Sequence, residues 1–283
     1  MAQILDGKAL SAKIKEELSK EVLSLQKKGI KPGLAVIIAG NDSASRVYVN
    51  NKKKACEACN IYSEEYALPE NTTEGELLDL IQKLNERKDI SGILVQLPLP
   101  KGIDQERVLL SISPKKDVDA FHPYNVGKIM IGDFDFLPCT PAGVMELIHL
   151  SGIDVCGKKC VVVGRSNIVG KPQAMLLLHE NATVTICHSR TKNLKEECLN
   201  ADILVAAVGK AKFITADMVR PGAVVIDVGM NRDENGKLCG DVDFENVKDK
   251  CFAITPVPGG VGPMTIAMLM RNTVKAAQLN NIR

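Results

Sequence analysis

The chain has 283 residues, 45% of them hydrophobic and 25% charged, which is the composition of a globular protein long enough for two domains. A net charge of +2, 4% aromatic residues and no tryptophan provide neither the basic surface nor the stacking rings of a nucleic-acid-binding protein. The longest apolar runs are strand-sized, which predicts no membrane-spanning helix, and nine cysteines in a chain of this length favour reduced thiols in the cytoplasm.

The first hundred residues alternate between helix and strand patterns. The predicted helices are 6–28, 43–59 and 73–87, and the predicted strands are 34–40, 61–68 and 92–96. This alternation is typical of a parallel sheet, whose ligands gather beyond the carboxyl ends of the strands.

The helix 43–59 offers a lysine that could take part in chemistry. Residues at helical spacing are predicted to form its apolar stripe, namely Ala44, Val47, Ala55 and Ala58. Tyr48 and Lys52 are four residues apart and lie on the shoulder of that stripe, so the lysine stem can be buried while its amine faces a cleft. The alternative is that the N-K-K-K run is a solvated face, as charge runs on helices usually are.

Cys56 and Cys59 form a C-x-x-C at the end of the same helix. The helix dipole disfavours a thiolate at a C-terminal end, and the chain has no second pair to complete a zinc site. No metal or redox centre is therefore predicted.

Further polar side chains follow the third predicted strand. Prolines force the chain out of the sheet at Gln96, which would bring its amide near Lys52, and the alternative is an exposed glutamine in a rigid exit loop. Asp117 and Asp119 would share one side of an extended segment, where one carboxylate could bind a planar fork of N–H donors on a ligand. Local capping of a turn is the alternative for this pair.

A second domain is indicated by the segment from Lys158 onward. A buried strand, a turn containing Gly164 and Gly170, and a helix at about 169–180 form the type of unit whose helix N-terminus binds a pyrophosphate. Ser166 and Val169 replace the second and third glycines of the usual dinucleotide fingerprint, so this motif alone is weak.

The next strand bears on which nucleotide would bind. It ends in His188-Ser189-Arg190-Thr191, where an NAD-binding unit usually carries an acidic residue for the ribose hydroxyls. A hydroxyl and a guanidinium there, with Arg165 in the preceding turn, suit a ribose phosphate instead, so NADP is favoured over NAD. Two more strands, 201–208 and 223–228, each end in a glycine turn.

A glycine-rich turn precedes the last predicted helix. Its residues are Pro258, Gly259, Gly260, Gly262 and Pro263. The glycines would let the backbone approach a ligand, and Pro263 would open a helix whose N-terminus faces the same place, but such a segment can equally be only a turn.

Five motifs occur in order along the chain: Y-V-N-N-K, V-Q-L-P-L-P, D-V-D-A-F-H-P-Y-N-V-G, G-R-S-N-I-V-G-K-P and P-G-G-V-G-P-M-T. Together they resemble the bifunctional methylenetetrahydrofolate dehydrogenase/methenyltetrahydrofolate cyclohydrolase family over essentially the whole chain. The resemblance implies an α/β fold of two domains with a cleft between them. The implied domains are a folate-binding catalytic domain at 1–140, on which a helix at 263–283 packs back, and a Rossmann-like NADP-binding domain at 141–262.

The same resemblance implies roles for individual residues. Lys52 would be the catalytic lysine, Tyr48 its partner beside the folate ring, Gln96 the amide that holds the lysine, and Asp119 the carboxylate that binds the pterin. The residues implied to bind NADP are Gly164, Arg165, Ser166, Ser189 and Arg190. The loop from Pro258 to Pro263 would lie where folate and nicotinamide meet. A homodimer with a role in one-carbon metabolism and purine biosynthesis is also implied, and Ala120 departs from the glycine usual in the family.

The implied activity is NADP-dependent oxidation of methylenetetrahydrofolate to methenyltetrahydrofolate, followed by hydrolysis to 10-formyltetrahydrofolate in the same cleft. Hydride transfer mainly needs two carbons to be aligned, whereas hydrolysis needs a base, and this requirement predicts a sheltered Lys52 amine. Two alternatives are a monofunctional NADP dehydrogenase and a non-catalytic folate or nucleotide sensor. The first has no need for Tyr48, Lys52 and Gln96 together, and the second would be expected to have lost at least one of them.

Overall fold

The computed structural model of the chain describes residues 2–40 and 42–281. The helices are α1 (Gly7–Lys27), α2 (Ser43–Ala58), α3 (Glu74–Glu86), α4 (Gln105–Ser111), α5 (Pro123–Ile131), α6 (Cys139–Leu150), α7 (Gly170–His179), α8 (Leu194–Leu199), α9 (Phe244–Val247) and α10 (Val261–Asn281). The strands are β1 (Gln3–Ile4), β2 (Gly33–Ala39), β3 (Tyr62–Leu68), β4 (Gly92–Val95), β5 (Lys159–Val163), β6 (Thr183–Cys187), β7 (Ile203–Ala206), β8 (Val224–Asp227), β9 (Asn231–Arg232), β10 (Leu238–Cys239) and β11 (Ala253–Ile254).

The chain divides into two compact units. The first, here the six-stranded unit, combines the segment that ends at Ser11 with Thr140–Thr265. The second, here the three-stranded unit, combines Ala12–Cys139 with the segment that begins at Ile266. None of the helices in the described part of the chain combines the length and the apolar character needed to cross a membrane.

The three-stranded unit is built on a parallel sheet in the order β3-β2-β4, which confirms the predicted alternation of helix and strand. Every residue of β2 is buried, as expected for a central strand covered on both faces. Its core contains the apolar side chains of the sheet and of α3, among them Ile37, Leu77, Ile81, Ile93 and Val95. β4 ends at Val95, so Gln96 follows directly at the carboxyl edge of the sheet.

The six-stranded unit is built on a parallel sheet in the order β1-β11-β8-β7-β5-β6. The chain leaves β5 towards β6 on one side and returns to β7 on the other side, so the strand order reverses between β5 and β7. In open sheets of this kind the crevice beyond the carboxyl ends of those strands is the usual ligand site. The turns after β5 and β7 are therefore the part of this unit in which to look for a binding cavity.

In the three-stranded unit, α4 and α5 form where no helix was predicted. Asp104 caps α4 by accepting the backbone N–H groups of Glu106 and Arg107. His122 caps α5 by accepting the N–H of Tyr124, and Pro123 occupies the first helical position. Capping thus accounts for His122.

Candidate active site

Lys52 lies in the middle of the inward face of α2. The buried residues of that face are Val49, Ala55, Cys56 and Cys59. The predicted stripe was wrong, because Val47 is 59% exposed and Ala58 is also exposed, while the side chain of Ala44 lies outside the described residues. The buried face of α2 is therefore rotated from the predicted face by about one residue position, or about 100°. Because Lys52 lies on this buried face, its side chain is half-buried, whereas Lys53 and Lys54 are exposed.

The Lys52 amine is bound by the amide of Gln96. Lys52 Nζ donates to Gln96 Oε1 over 2.9 Å, and Gln96 Nε2 donates to the carbonyl of Leu97 over 2.7 Å. The second bond fixes the orientation of the amide, so that its oxygen and not its nitrogen faces the lysine. This geometry joins the end of β4 to α2.

The two acids of the D-V-D motif differ in what they contact. The Asp117 carboxylate accepts the backbone N–H groups of Phe121 and His122 and the side-chain amide of Asn125 over 2.8 Å. Asp117 therefore has the capping role that was the alternative for this pair. Asp119 is the acid next to Lys52, where burial raises the pKa of its carboxyl group and the lysine charge lowers it in part.

Burial also governs the charge of Lys52. Removing the ammonium from water lowers the pKa of Lys52, and the nearby negative charge of Asp119 raises it by a smaller amount. Tyr48 lies one turn earlier on α2 and is half-buried, and burial raises the pKa of its phenol. The three-stranded unit thus brings together four residues that the sequence predicted as a catalytic group: Tyr48, Lys52, Gln96 and Asp119.

Two further residues support the Asp119 turn and were missed by sequence reasoning. The Cys139 thiol donates to the carbonyl of Val118 over 3.4 Å. Asn272 donates to the carbonyls of Val118 and Leu137, both over 2.8 Å. The only signal for Cys139 was its position in P-C-T-P, and Asn272 is too distant in sequence for any local pattern to connect it to this turn.

Ala120 has a left-handed backbone, with φ of 56°, and its side chain is fully buried. An L-residue in this region costs about 1 kcal/mol or more, and glycine avoids that cost. The preference for glycine noted from the sequence thus has a backbone reason, and the alanine tolerates the strained turn next to Asp119.

The free thiols of Cys56 and Cys59 are buried. Burial raises the pKa of Cys56 to about 12 and that of Cys59 to about 11. Such thiols are protonated and unreactive at neutral pH. Across residues 2–40 and 42–281, no group of three or more His, Cys, Asp or Glu side chains is arranged to hold a metal ion.

A cavity of about 480 Å³ lies in the six-stranded unit at the carboxyl ends of β5, β6 and β7. Its lining residues are Val163, Gly164, Arg165, Ser166, His188, Ser189, Leu194, Ala207, Val208, Lys210 and Phe213. This volume is within the range of small-molecule and cofactor sites. Arg190, the remaining predicted NADP ligand, is exposed and does not line the cavity.

The glycines of the turn after β5 are required by close packing. A Cβ on Gly164 would lie 2.2 Å from the carbonyl oxygen of Ala207, and one on Gly170 would lie 2.2 Å from that of Gly164. The third glycine of the dinucleotide fingerprint packs the helix against the strand. Gly170 has this role here, one residue after Val169, the position predicted from the sequence.

The first turn of α7 differs from the predicted phosphate-binding terminus. The amides of Val169 and Gly170 both donate to Ser166 Oγ, and the amide of Lys171 donates to the Ser166 carbonyl. Since Pro172 has no N–H, this turn has no spare donor for a pyrophosphate. The Ser166 hydroxyl still has its own proton to donate.

The polar side chains at the mouth of the cavity suit an anion. Within the described part of the chain, the exposed Arg165 guanidinium has no hydrogen bond or ion pair, and Ser189 lies on the opposite turn. β6 is followed by His188, which accepts the N–H of Arg190, and no acidic residue lines the cavity. These features fit a ribose phosphate better than a free ribose diol.

The loop from Pro258 to Pro263 packs against its own unit. The Gly259 carbonyl accepts the amide of Lys8 over 2.9 Å. A Cβ on Gly260 would lie 2.6 Å from the carbonyl oxygen of Pro256, and one on Gly7 would lie 1.8 Å from that of Gly260. Internal packing thus explains the glycine at 260. Pro258 is exposed, Gly262 and Pro263 begin α10, and the ligand-binding role of the loop remains a prediction.

Comparison with known proteins places this geometry in a family. Residues 5–119 match the catalytic-domain model of tetrahydrofolate dehydrogenase/cyclohydrolase, and residues 138–281 match its NAD(P)-binding-domain model. The bifunctional protein FolD of Acetivibrio thermocellus is 69% identical over 98% of both chains.

Two solved structures are also similar. The bifunctional methylenetetrahydrofolate dehydrogenase/cyclohydrolase FolD of Campylobacter jejuni has a TM-score of 0.96 at 53% identity, covering 99% of each chain. The Trypanosoma brucei enzyme, solved with NADP and an inhibitor, has a TM-score of 0.95 at 40% identity, covering 100% of this chain and 99% of its own. The chain belongs to the tetrahydrofolate dehydrogenase/cyclohydrolase family.

Proposed function

We propose that the chain oxidises methylenetetrahydrofolate with NADP and then hydrolyses the methenyl product to 10-formyltetrahydrofolate. The observation that carries this proposal is the half-buried Lys52 amine, bound to Gln96 Oε1 at 2.9 Å with Asp119 as a charged neighbour. The relatives named as bifunctional dehydrogenase/cyclohydrolases at up to 69% identity support both activities.

The two reactions are assigned to two parts of the chain. Residues 1–140, with the helix at 263–283, are proposed to bind folate, and residues 141–262 are proposed to bind NADP. The two matched family models, which end at 119 and begin at 138, support a boundary in this region. The segment that ends at Ser11 packs with the six-stranded unit, although it lies within the range proposed to bind folate.

The residues of the six-stranded unit fit NADP. Gly164 lines the cavity and packs closely against Ala207, and the Arg165 guanidinium, which has no partner among the described residues, makes the mouth of the cavity basic. Arg165, Ser166 and Ser189 would bind the phosphate groups, and Arg190 would approach from the rim. The chemistry that bound NADP supplies is acceptance of a hydride from the methylene carbon. The protein aligns the two carbons for this step and needs no acid or base.

Hydrolysis depends on the Lys52 amine. A lysine with the ordinary pKa of about 10.4 is neutral in less than about one molecule in a thousand at pH 7, so an exposed lysine would be a poor base. Burial lowers the pKa of Lys52 and so increases the neutral fraction. The neutral amine takes a proton from the water that attacks the methenyl carbon, which gives a hydroxyl adduct. The ammonium returns that proton to the folate nitrogen as the bond from this nitrogen to the carbon breaks, and the hydroxyl releases its own proton to solvent to become the formyl carbonyl.

The remaining residues of the group position folate and lysine. The Gln96 carbonyl oxygen restrains the Lys52 amine, and its orientation is fixed by the bond to Leu97. Asp119 would bind the N–H donors of the pterin, because Asp117 already uses both of its oxygens within the turn. Tyr48, one turn from Lys52, would lie beside the folate ring.

We further propose that the enzyme is a cytoplasmic homodimer with no nucleic-acid partner. The near-neutral charge supports the absence of a nucleic-acid role. β3 is an edge strand of its sheet and carries the half-exposed Tyr62, so a second chain has an accessible edge there. Sedimentation equilibrium that gives the mass of one chain, about 30.6 kDa, would contradict the dimer.

The test follows the products when the enzyme receives methylenetetrahydrofolate and NADP. NADPH is measured by absorbance, and the methenyl and formyl folates are separated. Wild type is expected to produce NADPH and the formyl product, and Lys52→Met to lose formyl formation by about 100-fold or more, the usual contribution of a general base. Lys53→Met is the matched control, since this neighbouring lysine is exposed.

Each failure points to one alternative. NADPH without any enzyme-dependent formyl product from wild type would indicate a monofunctional dehydrogenase. Absence of NADPH under all folate conditions would indicate a sensor. Unchanged formyl formation by Lys52→Met would show that the lysine is not the base.

A further inference from the structure

Two buried aspartates in the six-stranded unit have no part in the proposed chemistry. Asp227 is the last residue of β8 and is 3% exposed, while Asp241 follows β10 and is fully buried. A buried carboxylate is costly unless its oxygens are hydrogen-bonded, so the partners of these two residues indicate what the burial achieves.

Asp241 binds three consecutive backbone amides. Its Oδ2 accepts the N–H groups of Val208 over 2.6 Å and Gly209 over 3.0 Å, and its Oδ1 accepts that of Lys210 over 2.9 Å. A fourth donor is the side-chain amide of Asn231, whose Nδ2 donates to Asp241 Oδ1 over 2.9 Å. Successive N–H groups that converge in this way form a typical anion-binding nest, and here an internal carboxylate occupies it.

Asp227 holds Asp241 in turn. Asp227 Oδ1 accepts the backbone N–H of Asp241 over 2.8 Å, and its Oδ2 accepts that of Val242 over 2.9 Å. A third donor, the amide of Gly229, binds Oδ1 over 2.9 Å. Burial raises the pKa of Asp227 and these three donors oppose it, with a net value of about 6, so the group is mainly ionised at neutral pH.

The surrounding backbone is shaped to fit the two carboxylates. A Cβ on Gly240 would lie 1.8 Å from Asp227 Oδ2, and one on Gly229 would lie 2.3 Å from Asp241 Oδ1. Neither position has room for a side chain, so the backbone approaches both carboxylates directly.

The amides that Asp241 binds belong to the cavity wall. Val208 and Lys210 line the cavity together with Phe213, and Lys210 Nζ lies 4.9 Å from the centre of the Phe213 ring. Their segment follows β7, whose last residue, Ala206, is paired with Asp227. The hydrogen bonds of Asp227 and Asp241 thus extend to Val208 and Lys210, which line the cavity.

We propose that Asp241 is a positioning residue for nucleotide binding, which fixes the Val208–Lys210 wall of the cavity by holding its three amides, and that Asp227 holds Asp241 in place. This inference rests on the proposed NADP site. It implies that the wall is already formed before the nucleotide binds, so that no ordering cost is incurred on binding.

The test is Asp241→Asn, which keeps the size of the side chain but replaces an acceptor with an NH₂ donor that faces backbone N–H groups. Calorimetry is expected to show NADP binding weakened about tenfold or more, with a matching rise in KM for NADP. Hydrolysis of methenyltetrahydrofolate without nucleotide is expected to stay within about twofold of wild type. Asp217→Asn is the control, since this exposed acid of the same unit is paired with Lys195 outside the cavity.

A second measurement uses only the wild type, in case the variant does not fold. Hydrogen exchange without nucleotide is expected to show the amides of Val208, Gly209 and Lys210 as protected as those of β7. Rapid exchange of these amides, or equal NADP affinity of Asp241→Asn and wild type, would overturn the inference. No NADP binding by folded wild type would instead overturn the proposed function.

Discussion

The two buried polar clusters of this protein differ in how completely they are satisfied. The carboxylates of Asp227 and Asp241 accept seven hydrogen bonds, six of them from backbone amides. The Lys52 ammonium has three donors and, among the partners in the described residues, uses one of them on Gln96. A cluster whose hydrogen bonds are all made within the protein fixes the shape of the backbone. A cluster with unused donors can still form hydrogen bonds with a substrate.

The largest effect is expected from breaking the filled cluster. Gly240→Ala would place a methyl group 1.8 Å from Asp227 Oδ2, so the carboxylate must move away from its donors. Overpacking together with lost charged hydrogen bonds is expected to lower the free energy of unfolding by about 3 kcal/mol or more. Urea denaturation measures the change.

Gly75→Ala serves as the control for Gly240→Ala. It adds the same methyl group to α3, where nothing lies within 4 Å, and is expected to increase stability by up to about 1 kcal/mol. Equal stability of the two variants would show that the backbone around Asp227 is not closely fitted.

The same contrast exists between the two acids of one turn. Asp117→Asn is expected to lower the free energy of unfolding by about 2 kcal/mol, because its carboxylate accepts two backbone amides and the Asn125 amide. Asp119→Asn is expected to change stability by less than about 1 kcal/mol and to weaken folate binding instead. Thermal denaturation and folate titration of both variants separate the roles, and the reverse pattern would assign the pterin to Asp117.

A smaller effect tests the charge state of Lys52. In wild type, burial lowers the pKa of Lys52, so the rate of hydrolysis is expected to rise with pH and to level off below the pH at which free lysine titrates. Gln96→Glu adds a negative charge beside the ammonium, which stabilises the charged form and raises the pKa. The pH range over which the hydrolysis rate rises is expected to shift to higher pH by about one unit or more, equivalent to about 1.4 kcal/mol.

Gln105→Glu adds the same charge at an exposed position on α4 and is expected to leave the profile unchanged. A Gln96→Glu profile that coincides with that of wild type would show that the amine of Lys52 does not control hydrolysis.

The smallest effect is expected at Ala120. Ala120→Gly relieves the left-handed backbone but removes a fully buried methyl group, so the net gain in stability is expected to be below about 1 kcal/mol. Lys212→Gly is the matched control, since Lys212 is also left-handed, with φ of 52°, but is exposed. A loss of stability in both variants would show that neither backbone is strained.

The sequence predicted the elements and the chemistry better than the packing. Continuous apolar runs located β2 and β4, because a strand buried on both faces needs such a run. The inward face of α2 was misplaced because alanine and valine were taken as core while Cys56 and Cys59 were considered only for redox or metal roles. Cysteine is among the most frequently buried residue types, and these two side chains mark the true face.

Long-range packing explains the other differences. The glycine at 7 is required by the carbonyl of Gly260, and that at 240 by Asp227, and no local pattern connects such positions. Asp227 and Asp241 follow apolar or glycine-rich segments without any catalytic spacing, so nothing in the sequence indicated that they are paired. The residues Tyr48, Lys52, Gln96 and Asp119 were found because a family resemblance carries this long-range information.

The most direct test of the account is the titration of the Lys52 amine in the folded protein, by NMR of ¹⁵N-labelled lysine side chains with Lys52→Met to assign the signal. The pKa of Lys52 is expected to lie below the value of about 10.4 found for free lysine, and to decrease further when the cationic methenyl substrate or an analogue binds. A Lys52 signal that titrates at or above that value, with and without folate, would contradict a sheltered amine and with it the proposed base.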